Sequence, residues 1–186
     1  SSDLVGQLAY YSNMGQITAD DRVEPNIMTA VIGVHGSGRD AGTYLCALTA
    51  TVADASSNHI FTKDQRRSLL SSDVLVIAPW FIAPSDKIPP TSSIPYIQWD
   101  DLHPIAHTFR YGAESIPNVN NMTISSFGAI DALVERLCDR KRFPNLRRIV
   151  VIGHSAGGQF VHRWALSSNS WLLDRKSTRL NSSHRT

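Results

Sequence analysis

The stretch of the chain best suited to chemistry is Val150-Val151-Ile152-Gly153-His154-Ser155-Ala156-Gly157-Gly158. It sets Ser155 in a G-x-S-x-G pattern where an apolar β-branched run gives way to helical spacing, the context in which this pattern marks a nucleophilic serine. The requirement is geometric. The turn must be sharp enough to force Ser155 into strained dihedrals and to bring the residues two before and two after it together, which only small side chains permit. Gly153, Gly157 and Gly158 meet that demand. The Ser155 hydroxyl then projects at a helix N-terminus, where the dipole favours developing negative charge and the Ala156 N–H can face an oxyanion. The plainer reading, a dinucleotide-binding loop, needs glycine where Ser155 stands and fails on the motif itself.

A second segment supplies what such a serine needs. His35-Gly36-Ser37-Gly38 follows the apolar run Ile27 to His35 and matches an H-G-x-G loop whose backbone N–H points at a substrate oxygen. Ser37 is the expected donor, with Gly38 the other choice. His35 is expected to brace this loop, because a general base has to come within hydrogen-bond distance of the serine Oγ and the loop approaches from the oxyanion side.

Other residues with chemical capacity are weaker candidates. His103 and His107, near Asp100 and Asp101, have the four-residue spacing of ligands on one helix face. Pro104 and the surrounding composition favour a solvated loop instead, and the serine pattern needs neither metal nor cofactor. His162 lies seven residues after Ser155, about 10 Å along a helix at ~1.5 Å per residue, too far to take the Oγ proton. Cys46 and Cys138 are too few and too far apart for a disulfide framework or a CxxC site and read as buried hydrophobes. Asn121-Met122-Thr123 is an acceptor sequon that matters only in a secretory context.

The elements that must hold these residues follow from periodicity. Ile27 to His35, Val74 to Phe81 and Leu146 to Gly153 are continuous apolar runs of buried-strand type. Helical spacing recurs at Tyr44, Leu45, Leu48, Val52 and Ala55, with Asp40 as N-cap. It recurs again from Ser125 to Arg140 through Phe127, Ile130, Leu133, Val134, Leu137 and Cys138, and from Gly157 to Leu166 through Phe160, Val161, Trp164 and Ala165. Between the second strand and second helix, residues 82–122 hold six of the nine prolines, which rules out long regular elements. Their Tyr96, Trp99, Phe109 and Tyr111 suit either the wall or lid of an acyl pocket or a cover for the core. Strand, helix, strand, excursion, helix, strand, helix predicts an α/β fold with a mainly parallel sheet flanked by helices, its chemistry at the carboxyl ends of the strands.

With 186 residues, 42% hydrophobic and 18% charged, the chain fits one globular domain with a real core. No apolar run approaches the ~20 residues of a membrane span. Ser1-Ser2-Asp3 has neither an initiator Met nor the build of a signal peptide, so a processed or truncated start is expected and the compartment stays open. At the other end, residues 174–184 match codon for codon the conceptual translation of a common short-read sequencing adapter, and residues 174–186 are expected to be a non-native tail that packs against nothing. Without the tail the formal balance is 14 Lys and Arg against 15 Asp and Glu, net −1 in place of +2. The basic character belongs to the tail, and no basic patch for nucleic acid or an acidic membrane surface remains.

The segments VIGVHGSGRDAGTYL, DVLVIAPWF, SSFGAIDALVERL and FPNLRRIVVIGHSAGGQFVHRWAL, in that order, resemble a group of bacterial and fungal α/β-hydrolases over most of residues 27–168. The resemblance implies a parallel-centred sheet, a Ser…Asp/Glu…His triad in that chain order, and helices bearing Cys46 and Cys138 on opposite sheet faces, unsuited to a disulfide. It also implies that residues 1–173 are the N-terminal part of one hydrolase domain, a truncated α/β-hydrolase fold whose triad acid and histidine lie beyond the chain. The expected chemistry is hydrolysis of a small-molecule carboxylic ester or related acyl bond through an acyl-enzyme on Ser155. Acyl transfer to an acceptor other than water is the enzymatic alternative. A receptor or interaction module that kept the fold without the chemistry is the other.

Overall fold

The computed structural model describes residues 7–15, 22–57, 71–88, 95–101, 108–118, 120–168 and 178–180. Five strands form one sheet: β1 (Ala9–Ser12), β2 (Thr29–Val34), β3 (Val74–Trp80), β4 (Arg148–Gly153) and β5 (Thr178–Leu180). Their order is β1-β3-β2-β4-β5, with β1 antiparallel and the other neighbours parallel. Three helices accompany them, α1 (Ala41–Ser57), α2 (Ser126–Leu137) and α3 (Ala156–Ser167). The three apolar runs and three helical spacings thus become β2, β3, β4 and α1, α2, α3, an α/β fold with a mainly parallel sheet flanked by helices. Asp40 accepts a hydrogen bond from the Thr43 N–H at the start of α1, and Ser125 accepts one from the Gly128 N–H at the start of α2.

Alternation along β2 sorts the two faces of the sheet. A Cβ on Gly33 would collide with Leu48 of α1, while Ile32 and Val34 point the other way, into the cluster built with Ile130 and Leu133 of α2 and Phe160 and Trp164 of α3. Helix α1 therefore lies on one face and α2 and α3 on the other. Strands β2 and β4 are neighbours in register from Thr29↔Arg148 to Val34↔Gly153, and the helices that follow them leave to opposite faces. In α/β sheets the carboxyl ends of such a strand pair are where ligand sites are built. His35 and His154 each continue directly from it.

Three expectations need correction or addition. Cys46 is exposed, not buried, because it falls on the side of α1 opposite the stripe of Tyr44, Leu45, Leu48 and Val52; Cys138 is half-buried against the core. Residues 178–180 do not stand clear of the fold but pair in parallel with Ile149 to Val151. A strand edge offers backbone N–H and C=O groups to any extended segment regardless of its side chains. Strand β1, too short to show a period, closes the other edge through Ala9↔Trp80 to Ser12↔Ile77.

The described parts of the proline-rich excursion cover the core and are tied to it by backbone bonds, Trp99 N–H to the Ile82 carbonyl and Ile116 N–H to the Gln98 carbonyl. Trp99 and Phe109 are buried against Phe81, whereas Tyr111 lies at the surface with the Arg163 guanidinium over its ring. His103 and His107 are outside the described residues. No helix among the described residues is long and apolar enough to cross a membrane.

Phe160 joins sheet, excursion and α2: its ring centroid lies 5.1 Å from those of Phe81 and Phe127 and 6.1 Å from that of Phe109, with no exposure. Phe160→Ala is expected to lower the unfolding free energy by about 3–5 kcal/mol, read as a fall in the urea midpoint at unchanged slope.

Candidate functional site

The link between β4 and α3 is a two-residue turn, His154-Ser155, with almost no room. A Cβ on Gly153 would collide with the Gly157 backbone and come within 2.9 Å of the Gly158 nitrogen; one on Gly157 would collide with the Val34 carbonyl and lie 2.6 Å from that of His35. Gly158 is packed 3.3 Å from the Gly153 carbonyl oxygen by the same measure. These contacts are with backbone, which cannot step aside, so all three positions exclude a side chain or tolerate one poorly. The chain reverses between them through Ser155, at φ 57° and ψ −120°, a conformation unfavourable for any residue with a Cβ.

Ser155 precedes the first residue of α3, is exposed, and makes no capping bond with its side chain. Its hydroxyl is therefore not spent on the helix it precedes. The Gly157 N–H donates to the His154 carbonyl and the Gln159 N–H to that of Ser155. Ala156 is buried, and as the first residue of α3 its N–H has no carbonyl partner within the helix.

The loop after β2 stands alongside. A Cβ on Gly36 would lie 3.6 Å from both the Ser155 Cβ and the His154 carbonyl oxygen, so Gly36 is the loop residue placed directly against the turn. The Arg39 N–H donates to the Gly36 carbonyl at 3.1 Å, closing a turn with Ser37 and Gly38 at its tip. Both are exposed, and the closing bond uses neither of their N–H groups.

His35 fixes the root of this loop. It is fully buried between Phe81 and Phe109, 5.7 and 4.9 Å away between ring centroids. The Phe81 N–H donates to Nε2 at 3.0 Å, which leaves the ring proton on Nδ1, 2.8 Å from the Gly36 carbonyl oxygen. With both nitrogens engaged, the ring ties the loop to the end of β3 and offers nothing to Ser155. His162, by contrast, is exposed on α3.

Residues that sequence reasoning missed hold the far side of the loop. Arg39, at φ 53°, donates from Nε and Nη2 to the two Asp86 carboxylate oxygens at 2.8 and 3.0 Å, and from Nη2 to Ser85 at 3.1 Å. Asp101 lies 3.4 Å from the same Nη2 and accepts a bond from the Ser85 hydroxyl. Burial works to raise the Asp86 carboxyl, but the Arg39 bonds and the Ala83 N–H outweigh it and hold it below the ordinary carboxylate range. Tyr44, one turn into α1, accepts the Gly36 N–H at 3.2 Å. Arg39 is adjacent to the glycine loop and could have been suspected on that ground. Asp86 carries no local signal, since its partner is 47 positions away.

No protein-family model matches the chain, and no curated protein does. Among solved structures it matches LpqC, a poly(3-hydroxybutyrate) depolymerase from Bordetella parapertussis, with a TM-score of 0.43 and 16% identity, over 88% of this chain and 42% of that one. The chain thus spans less than half the length of that structure.

The burial of His35 has a consequence for stability. Desolvation outweighs its bond to Gly36 and brings its pKa from the ordinary 6.5 down to about 4. Between these values the unfolded chain binds a proton that the folded chain does not, so His35 makes stability fall as pH drops from 6.5 towards 4, with no contribution to the slope above or below. The total is about 3 kcal/mol. Denaturant unfolding at pH 7 and pH 4.5 should show a larger loss in the wild type than in His35→Gln, the difference approaching that figure.

Proposed function

We propose that the protein is a serine hydrolase that cleaves carboxylic esters or related acyl bonds through an acyl-enzyme on Ser155. The observation that carries this reading is the conformation of Ser155: a strained, exposed serine, free of capping duty, at the tip of a strand-to-helix turn and against a second glycine loop. A fold retains strain of about 1–3 kcal/mol at one residue only where the surroundings enforce it, and such residues cluster at functional sites.

In this reading the Ser155 Oγ attacks the acyl carbonyl, and the carbonyl oxygen becomes an oxyanion held by the N–H groups of Ala156 and Ser37. The orphan N–H of Ala156 and the unused N–H at the tip of the 36–39 turn suit those roles. The α3 dipole adds partial positive charge on the same side. Of the histidines among the described residues, His35 is fully engaged, His154 Nδ1 faces the Tyr44 hydroxyl and His162 is too far along α3, so this reading places the base and its carboxylate partner outside the described residues. Collapse of the tetrahedral intermediate expels the alcohol, protonated by the histidine, and water returns the acid and the free serine.

A fluorophosphonate probe tests the assignment. The full-length protein should be labelled at Ser155, and Ser155→Ala should lose both labelling and p-nitrophenyl ester hydrolysis, the latter by ~10³-fold or more. Labelling that persists in the folded alanine variant removes Ser155 from this role.

A further inference from the structure

We infer that the Tyr44 hydroxyl is a positioning element for the site, bridging the glycine loop to the serine turn and deciding which loop N–H faces the oxyanion; the inference rests on the hydrolase reading of Ser155. Three groups converge on Gly36. A Cβ there would lie 3.3 Å from the Tyr44 hydroxyl oxygen and 3.6 Å from both the Ser155 Cβ and the His154 carbonyl oxygen. The Gly36 N–H donates to that hydroxyl at 3.2 Å. The hydroxyl in turn lies 3.5 Å from His154 Nδ1, on the residue immediately before Ser155.

An oxygen that accepts from Gly36 has its own proton to donate, and His154 Nδ1 is the acceptor within reach when the imidazole is neutral and protonated at Nε2. One side chain from α1 thereby touches the loop after β2 and the turn after β4, the two segments whose spacing sets the oxyanion site. The bond also takes the Gly36 N–H out of competition. With Gly36 satisfied by Tyr44, the N–H groups of Ser37 and Gly38 are left to face the substrate oxygen. Tyr44 does not contact Ser155 in this account and acts through the two backbones it joins.

The test uses the full-length protein and Tyr44→Phe, which keeps the half-buried ring and removes only the bridging oxygen. Hydrogen exchange of the Gly36 amide, followed by ¹⁵N NMR, reads the bond without reference to activity and should accelerate by about tenfold. The fluorophosphonate labelling rate and kcat for a p-nitrophenyl ester should fall by about ten- to a hundredfold with KM little changed, as for loss of alignment in the transition state. His154→Ala should lower kcat as well, and adding it to Tyr44→Phe should cost little more, because both changes open one bridge. Unchanged Gly36 exchange in Tyr44→Phe, accelerated exchange with unchanged kcat, or effects that multiply in the double variant would each overturn the inference. A wild-type protein that resists the probe while Gly36 exchange responds to Tyr44→Phe would instead sink the hydrolase reading, and with it the functional role of the bridge.

Discussion

The crossing of the first turn of α3 over the end of β2 is the contact on which the site depends. Gly157 sits against the Val34 and His35 carbonyls so closely that a single methyl group has nowhere to go. That approach brings α3 down onto the sheet next to the β2 loop and leaves two residues, His154 and Ser155, to make the reversal from β4, with the left-handed step at Ser155. The strain at Ser155 is thus a consequence of packing elsewhere. Hydrophobic burial of Phe160, Val161 and Trp164 on the next turns of the same helix supplies the opposing free energy, at roughly 1.5–3 kcal/mol for each such side chain.

The neighbouring loop is held by a different kind of chemistry at each end. At its root, a neutral imidazole buried among aromatic rings trades its charge for two backbone hydrogen bonds. At its far side, a charged Arg39 grips Asp86 in a two-pronged pair near solvent, with Ser85 and Asp101 behind it. Between these anchors only the tip at Ser37 and Gly38 is exposed. The arrangement keeps the backbone at the tip fixed while leaving it accessible, as the proposed oxyanion role requires.

Much of this was legible in the sequence because it is written locally. Apolar runs ending in glycine located β2 and β4, and G-x-S-x-G placed Ser155 at a strand-to-helix junction. The side to which Cys46 turns could have been read from the same periodicity that located α1. What escaped detection depends on residues distant in the chain: Asp86 on Arg39, Phe81 on His35, and the pairing of β1 with β3. Four-residue β1 has no period to detect, and the pairing of residues 178–180 with β4 is a property of an open strand edge more than of their side chains. Trp99 and Phe109 joined the core through ring contacts with Phe81 that composition alone could not separate from a pocket wall.

The claim that the fold imposes strain on Ser155 can be measured directly as the unfolding free energy of Ser155→Gly relative to wild type. At an ordinary helix N-cap, replacing serine with glycine costs a few tenths of a kcal/mol, roughly, because a capping bond is lost. Here Ser155 makes no such bond, and glycine adopts φ 57° without steric cost. The account predicts that Ser155→Gly is more stable than wild type by about 1 kcal/mol; equal or lower stability would contradict it.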